Sequence, residues 1–165
     1  MKIIGIVGLK NSGKTYLAQK IISKLASQNL KVASIKHAHH DFDIDRPKTD
    51  SYLHRKSGSQ QVIISSSKRW AKITELKNTT EMKLEDLIKD LVDPDIIIVE
   101  GYKNANHPKI EIVKDSDDET RYLFNSLKNV VAIISDKQVA NFAKIQFKKN
   151  QINEIVNFIL NFENE

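Results

Sequence analysis

The chain has 165 residues, with 26 Lys and Arg against 21 Asp and Glu for a formal net charge of +5, and 40% hydrophobic residues. That length suits a single domain spanning residues 1–165, and the composition excludes a disordered chain. The absence of cysteine excludes disulfides, thiolate metal sites and a cysteine nucleophile and fits a cytoplasmic location. The short apolar run behind Met1 reads as neither signal peptide nor membrane span.

Residues 3–7, IIGIV, predict a buried parallel strand. Over residues 14–27, Leu17, Ile21, Ile22 and Leu25 share one face of a predicted helix. KVASI, residues 31–35, reads as a second strand and completes a βαβ unit. A short helix is predicted over residues 49–58, ending at glycine. QVIIS and RWAKIT follow as a hairpin around residues 66–68, with Trp70 expected in the core. Leu84, Leu87, Ile88 and Leu91 mark another helix. DIIIVE, KIEIV (109–113) and VVAII (130–134) read as further strands. Residues 115–129 form an excursion with a short helix, and residues 151–162 a closing helix. This alternation predicts an α/β fold, a mainly parallel sheet with helices on both faces. The scattered lysines read as solvated surface, which excludes nucleic acid as a partner.

Gly8 to Thr15 reads GLKNSGKT, a full match to G-x-x-x-x-G-K-[ST] between a predicted strand and a predicted helix. The P-loop NTPase fold follows from that context. Gly8 and Gly13 let the backbone curl, so that the N–H groups across Lys10, Asn11 and Ser12 point at phosphate oxygens. Lys14 reaches the β- and γ-phosphates and serves as the catalytic cation, while the Thr15 hydroxyl can coordinate Mg²⁺. Glu100 closes a buried strand at its carboxyl end, the edge where open α/β sheets bind ligands. It is the second candidate metal ligand, or else an acid that merely tops a strand. Asp95, at the other end, reads as structural. Asp136 follows VVAIIS, where a carboxylate can accept from guanine N1–H and N2–H₂, donors that adenine lacks as a pair. A helix N-cap is the alternative reading.

The stretch KHAHHDFDID, residues 36–45, follows the second strand at its carboxyl end. His37, His39, His40, Asp41 and Asp43 offer nitrogen and oxygen ligands, but in extended backbone His37 and His39 face away from His40. Beside the γ-phosphate, the stretch reads as a nucleotide-sensing loop comparable to switch I. Asp41, Asp43 and Asp45 would meet Mg²⁺ or the attacking water, with Asp41 orienting that water. Tyr52 and Arg55 suit either a phosphate or partner contact or the wet face of a short helix. Arg46 and Arg55 are candidates for a finger supplied by a partner protomer. His107 reads as a plain loop histidine.

GLKNSGKT, KHAHHDFDIDRPKTDSYLHRKSG, SKRWAKITE, VEGYK and AIISD occur in this order between Ile3 and about Asp136. Together they resemble the MobB family of molybdopterin-guanine dinucleotide biosynthesis adapter proteins. The resemblance implies a dimer-forming P-loop protein that binds GTP and Mg²⁺ and hydrolyses GTP slowly. It further implies a homodimer acting beside the molybdenum cofactor guanylyltransferase (MobA-like), with molybdopterin itself as a further candidate ligand. By motif position, Gly13, Lys14 and Thr15 would hold phosphates and metal, Glu100 would sit at Mg²⁺, and Asp136 near guanine. Two positions depart from the pattern. Leu9 stands where some relatives of the wider class carry a second lysine, and RPKTD lacks the glycine found near Lys48 in many members. A metal-delivery GTPase of the nickel-chaperone type is the alternative. A small-molecule kinase is disfavoured because KRW, residues 68–70, is too short for an arginine-rich lid.

Overall fold

The computed structural model describes residues 1–38, 42–77 and 80–163. Along the chain run β1 (Lys2–Gly8), α1 (Lys14–Ala26), β2 (Val32–Lys36), α2 (Asp50–Lys56), β3 (Gln61–Ser65), β4 (Trp70–Thr74), α3 (Leu84–Lys89), β5 (Ile96–Glu100), β6 (Lys109–Ile112), β7 (Val130–Ile134), β8 (Ile145–Phe147) and α4 (Ile152–Asn161). They form two compact units: Met1–His37 with Leu84–Glu165, and Ala38–Lys83.

The first unit is a six-stranded sheet in the order β2-β5-β1-β6-β7-β8, parallel throughout. Its strands are Ile- and Val-rich because both faces are covered, which leaves no side to keep polar. On one face Ile4, Ile6, Ile98 and Ile110 pack against Ile21 and Leu25 of α1 and Ile155 and Ile159 of α4. On the other, Ile97 and Val99 lie with Leu84 of α3, and Val113 and Ile133 lie with Tyr122. Ile21 and Leu25 are fully buried, a burial that contributes about 1.5–3 kcal/mol for each such side chain. The parallel sheet with helices on both faces is therefore as expected.

Three details of this unit differ from expectation. The helix expected in residues 115–129 is two 3-10 turns, Glu119–Arg121 and Leu123–Asn125. Strand β8, only three residues long, carried no alternation to reveal it. His107 is not a plain loop histidine, since it is 5% exposed. Among the described residues, no helix is long and apolar enough to cross a membrane.

In the second unit, β3 and β4 form an antiparallel ribbon in register from Gln61↔Thr74 to Ser65↔Trp70. Its turn is tied by the Ser66 N–H donating to Arg69 O at 2.9 Å, while Ser66 Oγ accepts the Lys68 and Arg69 N–H groups. Alternation places Val62, Ile64, Ala71 and Ile73 on one face and Ile63 and Trp70 on the other. Trp70 is 63% exposed, so the expectation of a core tryptophan was wrong. A two-stranded ribbon covers one face at most, and Trp70 falls on the bare one.

Candidate nucleotide site

All six strands run the same way, so their carboxyl ends share one edge of the sheet. That edge carries the P-loop after β1, Lys36 at the end of β2, Glu100 at the end of β5, Lys114 beyond β6 and Asp136 beyond β7.

The P-loop turns through Asn11 (φ 60°) and Gly13 (φ 92°) into the first turn of α1. Such left-handed positions let successive N–H groups face inward. Lys14 Nζ donates to the carbonyls of Gly8 at 3.1 Å and Leu9 at 2.7 Å, so the ammonium folds back over the loop. Ser12 is 5% exposed, and its hydroxyl has no hydrogen-bond partner among the described residues. Lys10 and Asn11 are exposed on the crest. Burial lowers the Lys14 pKa, Lys103, Lys36 and Lys114 lower it further, and Glu100 opposes them. Several ammonium groups thus converge on one loop with, among the described residues, Glu100 as the carboxylate that opposes them, a field that favours an anion.

Thr15 Oγ1 donates to Glu100 Oε1 at 2.9 Å. Two neighbouring oxygens of an octahedral ion with bonds of about 2.1 Å lie about 3.0 Å apart. The pair therefore fits a hard divalent cation such as Mg²⁺, and a cation already stands beside it, because Lys36 Nζ is 3.4 Å from the same Glu100 oxygen. Asp95 behaves as the structural acid expected of it, accepting the Lys31 N–H at 2.7 Å.

His37 is held at this edge. Its N–H donates to Glu100 O at 2.8 Å, and its ring lies 4.7 Å from that of Tyr102. Gly101 permits this, since a Cβ there would come within 2.7 Å of His37 Cβ. His39, His40 and Asp41 lie outside the described residues.

Asp136 Oδ1 accepts the Lys149 N–H at 3.1 Å, and Oδ2 pairs with Lys149 Nζ at 3.0 Å. The Lys149 side chain, and then its backbone N–H, hold this carboxyl below its usual range. The loop is braced by Gln146 of β8, which donates to Lys137 O at 2.7 Å and accepts the Val139 N–H at 3.1 Å.

In the second unit, Arg55 of α2 gathers three acids. Its Nη2 bonds Asp43 at 2.6 Å, Nε bonds Asp45 at 2.8 Å, and Nη1 bonds Glu75 at 2.6 Å. Ser51 adds a hydrogen bond to Asp45 at 3.0 Å. Asp43, Asp45 and Arg55 thus pair with one another within their own chain, and Tyr52 lies beside the Arg55 guanidinium. Among the described residues, no group of three or more His, Asp or Glu is placed to hold a metal ion.

Sequence reasoning missed Lys36, Lys103 and Lys114 around the P-loop, and Gln146 behind Asp136. Lys36 had a legible signal: it ends an apolar strand just as Glu100 does, and the two are Cα partners on neighbouring strands.

A glycine loop that passes from an inner strand of a parallel sheet into a helix, with an acid ending the neighbouring strand, defines an α/β protein of the P-loop NTPase fold. Within that class, the chain belongs to the family described as molybdopterin guanine dinucleotide synthesis protein B, whose family model matches residues 3–136. It is 35% identical over 136 residues to the molybdopterin-guanine dinucleotide biosynthesis adapter protein of Escherichia coli strain K12, covering 81% of this chain and 78% of that one. The adapter protein of that name from Haemophilus influenzae is 31% identical over 160 residues, covering 97% and 88%. The crystal structure of Bacillus subtilis MobB shares the fold with a TM-score of 0.77 over 100% of both chains, at 24% identity.

Proposed function

We propose that this chain is a GTP-binding adapter that assists conversion of molybdopterin to its guanine dinucleotide form, working as a homodimer beside the molybdenum cofactor guanylyltransferase. Its family carries the pathway. The observation that carries the nucleotide is the Thr15–Glu100 pair, 2.9 Å apart, beside a P-loop ringed by ammonium groups. The P-loop N–H groups and Lys14 hold the phosphates, and Thr15 and Glu100 hold Mg²⁺. When bound, Mg²⁺ neutralises charge on the phosphates. Asp136 accepts from the guanine edge, with about four lone-pair sites on its two oxygens and Lys149 occupying only part of them. Asp41 is the residue we assign to orienting water for a slow hydrolysis. Positioning and charge stabilisation supply the catalysis, so slow turnover suits an adapter. Dimerisation is supported by the ribbon, where Ile63 is 67% and Trp70 63% exposed on one face, a pattern that marks association surfaces.

Calorimetric titration with Mg²⁺ and GTP or ATP tests the nucleotide. We expect saturable GTP binding that Lys14→Ala abolishes, and no GTP heat in the wild type would sink this reading. Adding the chain to a purified guanylyltransferase with molybdopterin and GTP tests the adapter role. Product formation should rise with the wild type but not with Lys14→Ala.

A further inference from the structure

The oxygens assigned to Mg²⁺ already have a cation beside them. Lys36 Nζ lies 3.4 Å from Glu100 Oε1 and 3.5 Å from Thr15 Oγ1, the same two atoms that lie 2.9 Å from each other. The backbone imposes this. Lys36 and Glu100 are Cα partners at the ends of adjacent parallel strands, so their side chains leave the sheet on the same face. Thr15 enters from the first turn of α1.

The two partners of the ion pair differ in freedom. The Glu100 side chain is 15% exposed and that of Lys36 is 60% exposed. The backbone beneath is stitched, since the His37 N–H donates to Glu100 O. The acid is fixed, while the ammonium sits on a flexible four-carbon stem and is readily hydrated. An arriving divalent ion therefore meets a carboxylate that is already neutralised and must displace a tethered cation from it.

Resting on the nucleotide reading above, we propose that Lys36 is a built-in counter-cation of the metal site, which balances Glu100 in the metal-free protein and competes with Mg²⁺ for its carboxylate. Glu100 is then never left as an uncompensated, largely buried charge. Occupancy of the site becomes steeply dependent on nucleotide, because only an ion that also gains phosphate oxygens outcompetes the lysine.

The test is the Mg²⁺ midpoint for binding of fluorescent GDP, which has no γ-phosphate to draw Lys36 into a second role. Removing the competitor by Lys36→Met should lower the midpoint by about two- to fivefold, the range of a partly exposed ion pair. Lys36→Arg, which keeps a cation there, should stay near the wild type. In a Glu100→Gln background Lys36→Met should leave the midpoint unmoved, because the shared carboxylate is gone. An unchanged or raised midpoint in Lys36→Met overturns the proposal, as does a shift that persists in Glu100→Gln. A wild type without Mg²⁺-dependent GDP binding overturns the nucleotide reading itself, and this inference with it.

Discussion

The P-loop and the amino end of β6 each hold a lysine against backbone carbonyls, and they do so to opposite ends. Lys109 is 1% exposed. Its ammonium donates to Ala105 O at 2.7 Å, His107 O at 2.8 Å and Lys128 O at 3.5 Å, so all three N–H donors are used. Lys14 donates to two carbonyls and faces Lys36, Lys103 and Lys114. Burial lowers the pKa of both, but only Lys14 is further opposed by neighbouring cations. Lys109 has everything an ammonium needs from its own chain. Lys14 has a donor to spare and a surrounding field that favours an anion, the difference that separates a structural cation from one that the proposed function assigns to phosphate binding.

Substitution should split the two cleanly. Lys109→Met leaves three carbonyls without their donor and should cost about 3 kcal/mol of unfolding free energy in urea titration, with GTP affinity unchanged. Lys14→Met should do the reverse, weakening GTP by about 100-fold while unfolding free energy stays within about 0.5 kcal/mol. Equal effects of both substitutions on both readouts would erase the distinction.

His107 sharpens the comparison from the Lys109 side. Its ring packs over Gly5, the position on β1 where a Cβ would collide with it. Neither ring nitrogen has a partner among the described residues. Burial, and then the Lys109 charge, push its pKa down to about 4 from 6.5. Below pH 6.5 the unfolded chain gains a proton that the folded chain refuses, so stability falls between pH 6.5 and 4 and levels off below that. At pH 4.5 this should amount to about 2 kcal/mol. His107→Gln should remove that part of the difference in unfolding free energy between pH 7.5 and pH 4.5. An unaltered pH slope would place the acid sensitivity elsewhere.

What the sequence reveals follows from how local each feature is. The strands of the sheet other than β8 were legible because burial on both faces writes Ile- and Val-rich runs, and the P-loop because its geometry is encoded in eight consecutive residues. The ring of lysines as a whole was not legible. Lys36 ends β2 while Lys103 and Lys114 lie on two different connections, and only parallel pairing brings them to one edge. His107 looked like a loop residue because its burial depends on a glycine about a hundred positions away. The acids Asp43 and Asp45 suggested a metal, yet they close on Arg55, a pairing visible only once α2 turns that side chain toward them.

The smallest expected effect concerns Asp136, where the comparison between satisfied and waiting groups is closest to balanced. Its carboxylate is 46% exposed and already holds two groups of Lys149, so it resembles Lys109 more than Lys14 at first sight. Yet a carboxylate accepts about four hydrogen bonds, and Gln146 fixes the loop around it from behind. If Asp136 reads the base as proposed, Asp136→Asn keeps the shape but turns one acceptor into a donor facing the guanine N1–H and N2–H₂ pair. GTP affinity should therefore fall by about tenfold, the size of one charged hydrogen bond at a partly wet site, while ATP affinity holds. The Lys149 side chain loses its partner in the same variant, so Lys149→Met serves as the control. If Asp136 only anchors Lys149, both variants should weaken GTP and ATP alike. If it reads the base, only Asp136→Asn should separate the two nucleotides.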